Sequence, residues 1–176
     1  MEFLNVLKER RSIRAYKDEE IDKEVICDLI KNAQLAPSWK NSQTARYYVA
    51  HSKEARQRLL ECLPDFNRER TEKASAFIVT SVVHGISGYS RDGSGTHLGI
   101  GFECFDNGLA VQNLLLSAQH KGLGTLVMGL YDEGAIREMF QIPNSENIVV
   151  VIALGVSDIS PDMPARKSLD EILTIK

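Results

Sequence analysis

Apolar residues recur along this chain at two alternating periods, and the switches between them mark out its elements. Phe3, Leu4 and Leu7 predict a short helix ending near Arg10. Val25, Ile26, Leu29, Ile30 and Ala33 form one apolar stripe of a second helix, with Asp22 placed to cap its start and Pro37 barring its continuation. Arg46 to Ala50 reads as a strand, and Ser52 then caps a third helix whose last turns carry Leu59, Leu60 and Leu63 before Pro64. A polar helical segment follows at Phe66 to Lys73.

Ala76 to Val83 is β-branched and almost continuously apolar, as a strand covered on both faces must be, and this predicts a central place in the sheet. Phe102 to His120 carries Phe105, Leu109, Val111, Leu114, Leu115 and Leu116 around most of its circumference, which makes it a core or interface helix. Thr125 to Met128 is a further strand, Asp132 caps a helix holding Ile136, Met139 and Phe140, and Ile148 to Leu154 is a buried strand. Ser168 and Glu171 have the spacing of a capping box for a closing helix.

This order lacks a regular βαβ alternation, so it predicts an α+β fold with a sheet sandwiched by helices rather than a doubly wound nucleotide fold. Gly85 to Gly101 holds six glycines between a strand and a helix. Its Gly93-Ser94-Gly95 is followed by Leu98 where a dinucleotide fingerprint has its third glycine, so the segment reads as a loop near a site.

At 176 residues the chain is long enough for one sizeable core, and residues 1–176 are read as a single domain. Three scattered cysteines suggest neither a disulfide framework nor a metal cluster, and the four histidines share no ligand spacing. A formal net charge of −3 disfavours nucleic acid as a partner. No apolar run approaches the ~20 residues of a membrane span, and the amino terminus lacks the layout of a signal peptide, so the expected location is the cytoplasm.

Against that acidic balance, Arg10-Arg11-Ser12-Ile13-Arg14 packs three guanidiniums and a hydroxyl into five residues. Guanidinium forks match phosphate oxygens, although a short basic run can equally be a solvated turn. Arg166-Lys167 adds a second cationic point near the other end of the chain, and the two segments could converge on one anion. Pro37-Ser38-Trp39-Lys40-Asn41-Ser42-Gln43 offers hydroxyls, amides and an aromatic face suited to the edges of a flat heterocycle, or simply forms a polar loop. The turn Met128-Gly129 could bring a backbone N–H against a ring nitrogen.

These segments, together with Asn113-Leu114-Leu115-Leu116-Ser117-Ala118, Gly122-Leu123-Gly124 and Arg166-Lys167-Ser168-Leu169-Asp170-Glu171-Ile172, occur in an order that resembles the FMN-dependent nitroreductase family over essentially the whole chain. The resemblance implies a homodimer with a mixed, largely antiparallel central sheet flanked by helices, and two FMN sites at the subunit interface, each built from both chains. It points to Arg10, Arg11 and Ser12 for the phosphate and ribityl chain, with Arg166 and Lys167 returning to the phosphate. Arg14 is implied beside the ring N1 and C2 carbonyl. Pro37, Ser38, Trp39, Asn41 and Gln43 are implied to come from the partner subunit. Asn67 and Arg70 match positions at the ring's polar edge, and Val127, Met128 and Gly129 match the loop whose backbone N–H reaches flavin N5.

The implied activity is transfer of electrons from NADH or NADPH through FMN to a nitroaromatic or quinone acceptor by a ping-pong mechanism, with no side-chain nucleophile. Two alternatives stand beside it. One is a flavin-binding or flavin-sequestering dimer without fast nicotinamide turnover; the other is a flavoenzyme fed by a different donor, such as a ferredoxin or a reduced flavin. Thr44 stands where many relatives place proline, and Trp39-Lys40 replaces smaller residues, so the acceptor does not follow from the resemblance.

Overall fold

The strand predicted to be central, β2 (Ala76–Val83), is flanked on both sides: β1 (Ala45–Ala50) pairs with one edge and β4 (Glu146–Gly155) with the other. In the computed structural model, which describes residues 2–90 and 92–176, β3 (Gly124–Met128) closes the sheet in the order β1-β2-β4-β3. All three strand pairings are antiparallel. The one parallel element among the described residues is an isolated bridge between Ser12 and Thr125. Met1 and Arg91, the latter inside the glycine-rich segment, lie outside the described residues.

β2 is almost continuously apolar because each of its faces meets a separate core. Phe77 and Val79 point into one, with Leu59 and Leu60 of α3 (Lys53–Glu61) and Ile136 of α6 (Glu133–Phe140). Ala76 and Ile78 point into the other, with Ile26 and Leu29 of α2 (Lys23–Gln34) and Leu114 and Ala118 of α5 (Gly101–His120). Fully burying a Phe77 or an Ile78 stabilises by about 1.5–3 kcal/mol, which is why apolar residues are favoured on both faces here.

Two predicted caps are made as hydrogen bonds. The Ser52 hydroxyl accepts from Ala55 N–H, and Asp132 accepts from Ala135 N–H. Asp22 precedes α2 but makes no side-chain capping bond. Ser168 and Glu171 close their capping box on α7 (Leu169–Ile172), a single turn. The polar segment before β2 is α4 (Asp65–Thr71). The first helix, α1 (Phe3–Glu9), buries Val6 and leaves Phe3, Leu4 and Leu7 exposed.

Two features of this frame set up the site. Residues 12 to 17 cross the ends of β3 and β4: Ile13 N–H donates to Thr125 O at 2.9 Å, and Lys17 N–H to Val156 O at 2.9 Å. Ile13 can lie this close because residue 124 is glycine; a Cβ there would sit 2.7 Å from Ile13 Cγ1. Buried Tyr16 braces the crossing by donating its hydroxyl to Ile13 O, and burial pushes its phenol pKa up. The second feature is the first half of α5, whose patterning is inverted. Glu103, Asp106 and Asn107 are buried, while Phe105 is 54% exposed. Apolar residues therefore face outward where a lone chain meets water, and acids face inward.

Candidate functional site

The two cationic ends of the sequence meet. Arg10, Arg11, Ser12 and Arg14 line one cavity of about 140 Å³ with Pro161, Asp162, Pro164 and Arg166. The crossing of residues 12–17 over the sheet edge positions one wall, and the chain leaving β4 supplies the other. Among the described residues, none of these four arginines is in an ion pair. The four guanidiniums share this cavity with one carboxylate, Asp162, which is ion-paired to none of them, so a net positive charge remains that a bound anion would neutralise while satisfying their remaining donors.

The arginines are not equivalent. Arg11 Nη1 donates to Lys8 O at 2.6 Å and to Arg10 O at 2.8 Å, so it caps the carbonyl end of α1, where a cation also meets the negative end of the helix dipole. Its buried Nε has no partner. Arg14 Nη1 reaches Ser12 O at 3.3 Å, and Arg166 Nη1 reaches Pro164 O at 2.9 Å, each leaving the rest of its fork open. Arg10 makes no side-chain hydrogen bond among the described residues. Lys167 does not line this cavity.

The second cluster lies elsewhere on the chain. Pro37, Ser38 and Gln43 line a separate cavity of about 330 Å³ together with Thr44, Arg46, Tyr47 and Asp106. Trp39 and Lys40 line a third, open cleft with Tyr89, Ser90 and Asp92. Between them Trp39–Asn41 forms a 3₁₀ turn, closed by Asn41 N–H to Ser38 O and Ser42 N–H to Trp39 O. Lys40, Asn41 and Gln43 all have positive φ, at 48°, 55° and 49°. A left-handed conformation costs a side-chain-bearing residue about 1–2 kcal/mol, least for Asn, so external contacts must hold this loop.

Those contacts come from residues the sequence reading passed over. Asp106 Oδ2 accepts from Trp39 N–H at 2.9 Å and from the Ser87 hydroxyl at 2.7 Å. The Trp39 indole N–H donates to Tyr89 O at 2.9 Å, and its ring packs edge-on against Phe102, with centroids 4.8 Å apart. The Lys40 ammonium lies over the same indole and reaches Ser90 Oγ. The glycine-rich segment is thus tied to the polar loop through Ser87, Tyr89 and Ser90. The signal available in the sequence was the pair of acids, Glu103 and Asp106, at helical spacing inside an otherwise apolar helix.

The remaining predicted positions fall apart from both cavities. Asn67 is buried on α4, whereas Arg70 is exposed and lies over the Phe66 ring. Met128 is buried at the end of β3, with Val127 and Gly129 exposed on either side. The turn after Gly129 abuts α3, since Asp132 N–H donates to Cys62 O at 2.8 Å. Among the described residues there is no group of three His, Cys, Asp or Glu side chains placed to hold a metal, and no helix is long and apolar enough to cross a membrane.

Comparison with known proteins decides what this arrangement belongs to. The sequence profile of the Nitroreductase family matches residues 7–85 and 99–156. The chain belongs to the nitroreductase family. A protein of Archaeoglobus fulgidus, named a candidate NADH dehydrogenase/NAD(P)H nitroreductase, is 34% identical over 160 residues, covering 88% of this chain and 84% of the relative. The nitroreductase fold is also seen in a crystal structure from Exiguobacterium sibiricum solved in complex with FMN, at a TM-score of 0.87 and 23% identity, covering 100% of this chain and 98% of that one. A nitroreductase family protein of Streptococcus pneumoniae gives a TM-score of 0.86 at 20% identity, covering 99% of this chain and 100% of that one. The α+β architecture with an antiparallel sheet is therefore that of nitroreductases, and the glycine-rich gap between the two matched stretches falls outside the family profile.

Proposed function

We propose that this nitroreductase is an FMN-dependent oxidoreductase that takes electrons from NADH or NADPH and delivers them to a nitroaromatic or quinone acceptor, working as a cytoplasmic homodimer whose single domain spans residues 1–176. The observation that carries the reading is the cavity of unpaired guanidiniums where Arg10, Ser12 and Arg14 meet Arg166. FMN supplies the electron relay between donor and acceptor, and both substrates use it in turn, which makes the kinetics ping-pong.

The residues fit that cofactor. Arg10 and Arg166 offer open forks, and Ser12 a hydroxyl, to a phosphate dianion, with Arg11 lending charge while it caps α1. Arg14 adds positive charge on the ring side of the same segment and favours the electron-rich form. The backbone of Val127, Met128 and Gly129 offers N–H groups at a sheet edge. A cavity of about 140 Å³ holds only part of such a ligand, since whole-cofactor sites run to ~300–1,000 Å³. The rest of the enclosure is assigned to a second copy, whose Pro37–Gln43 loop brings its own cavity of about 330 Å³. Exposed Phe3, Leu4, Phe105, Leu130, Leu169 and Ile172 support that pairing, because large apolar side chains left in water favour association that covers them. Asn67 and Arg70 complete the proposed set at the ring's polar edge, and Lys167 adds long-range positive charge near the phosphate.

Sequestration without turnover is less favoured, since it requires Trp39 to cover the ring and its indole is engaged by Tyr89 O and Phe102 of its own chain. The test is FMN titration of flavin-free protein, followed by flavin fluorescence. Ser12→Ala combined with Arg166→Ala should weaken binding by about 100-fold or more, for the loss of two contacts to a charged group, and Lys53→Ala on the solvated start of α3 should change nothing. Equal loss in both would place the phosphate elsewhere, and no uptake by the wild-type protein would overturn the reading.

A further inference from the structure

We propose that Asp106 is a positioning residue for the cofactor-facing loop Ser38–Thr44, acting through Ser87. The proposal rests on the flavin reading above for what the loop faces, and on this chain's own geometry for everything else. Asp106 is 5% exposed and has no cation within ion-pair distance among the described residues, so hydrogen bonds alone compensate its charge. One of its oxygens takes the backbone N–H of Trp39 at the loop's start and the Ser87 hydroxyl. Ser87 Oγ in turn lies 3.1 Å from Ser42 Oγ and 3.2 Å from Thr44 Oγ1, at the loop's end.

Donor counting fixes the direction of every bond in this network. A carboxylate only accepts, so the single Ser87 proton goes to Asp106. The two hydroxyls of Ser42 and Thr44 must then donate into the two lone pairs of Ser87 Oγ. One buried charge thus grips both ends of a seven-residue loop and orients three hydroxyls inward. The loop needs such a grip because Lys40, Asn41 and Gln43 are all left-handed. Bonds to an ionised acceptor are roughly twice as strong as neutral ones, which suits a carboxylate rather than an amide to this place. Released from Asp106 and Ser87, the loop would populate other conformers, and the apparent affinity for a ligand falls by the fraction of time the binding conformer is lost.

Trp39 is the chain's only tryptophan, so loop order can be read with no flavin present. The experiment compares flavin-free wild type, Asp106→Ala, Asp106→Asn and Ser87→Ala by amide hydrogen exchange and Trp39 emission, then titrates each with FMN. Asp106→Ala should speed exchange at Trp39, Asn41 and Ser42 by about tenfold or more, red-shift the emission and weaken FMN binding by about tenfold. Asp106→Asn, which keeps an acceptor oxygen, should recover part of each. Ser87→Ala should loosen Ser42 and Thr44 while leaving the Trp39 amide protected, and it decides the matter if Asp106→Ala does not fold. Loop exchange unchanged in both Ser87→Ala and Asp106→Ala overturns the proposal, as does FMN binding equal to wild type in both. Failure of the wild type to take up FMN overturns the functional reading instead, and the exchange pattern still tests the grip.

Discussion

Replacing Gly124 with alanine tests how the sheet edge places the basic segment. The new Cβ would stand 2.7 Å from Ile13 Cγ1, 3.0 Å from Ile13 Cβ and 3.1 Å from Ile13 Cγ2. These atoms lie at the root of a buried side chain on a segment hydrogen-bonded to Thr125, so the clash cannot be relieved by swinging a flexible tip. Restoring ordinary contact at 3.4 Å requires Ile13 to retreat by 0.7 Å, with Ser12 and Arg14 on either side of it. Overpacking of this kind costs about 1–3 kcal/mol, offset by about 0.5–1 kcal/mol because alanine loses less backbone entropy than glycine in a strand. Low end against low end and high end against high end, the net loss is about 0.5–2 kcal/mol, which lowers Tm by about 1–8 °C for a chain of this size. Gly134→Ala in α6, where the nearest atom is Asp132 Oδ1 at 3.5 Å, should be neutral or slightly stabilising. The assay is urea unfolding of wild type, Gly124→Ala, Ile13→Ala and the double variant. Because Ile13→Ala removes both Cγ atoms, the cost of Gly124→Ala should shrink in its presence by about 1 kcal/mol, well beyond the 0.3–0.5 kcal/mol scatter of independent sites. Strict additivity, or full stability of Gly124→Ala, would refute the reasoning.

Two further predictions concern other parts of the fold. Arg56 grips both Glu20 oxygens, at 2.6 and 2.7 Å, and this hydrogen bonding holds the Glu20 carboxyl below its ordinary 4.5. A depressed folded-state value contributes stability above pH 4.5 that is lost as pH falls through the lower value; with Glu20 68% exposed the amount is below about 1 kcal/mol. Tm of wild type should exceed that of Glu20→Gln near neutrality and converge with it on acidification, and a gap that widens below pH 4.5 would contradict this. At the start of β4, buried Glu146 accepts from Tyr48 OH at 2.8 Å and Ser81 Oγ at 2.5 Å. Glu146→Ala, which leaves the fully buried Ser81 hydroxyl without that acceptor, should cost about 1–3 kcal/mol in urea unfolding, and more than Tyr48→Phe.

What the sequence makes legible is whatever repeats locally. Ala76–Val83 is a strand with the predicted limits and the predicted internal place, because an almost continuously apolar run can be satisfied only by cover on both faces. The caps at Ser52 and Asp132 were legible for the same local reason. The meeting of Arg10–Arg14 with Arg166 was suggested by charge, yet it depends on residues 12–17 crossing β3 and β4, and no local pattern encodes that crossing. Asp106 was hidden because a helical stripe is read by its apolar members; a buried acid whose partners are a backbone N–H and a serine on two distant loops leaves no periodic trace. Lys167 illustrates the converse, a residue that motif order pairs with Arg166 but that does not line the cavity Arg166 lines.

Anaerobic mixing of the FMN-loaded protein with NADH or NADPH tests the central claim most directly. The oxidised flavin absorbance should bleach rapidly with one or both nucleotides, return on addition of a nitroaromatic or quinone, and be lost from the Ser12→Ala, Arg166→Ala protein because the cofactor is not retained. Flavin that stays oxidised for minutes with both nucleotides, while dithionite bleaches it at once, would contradict the account.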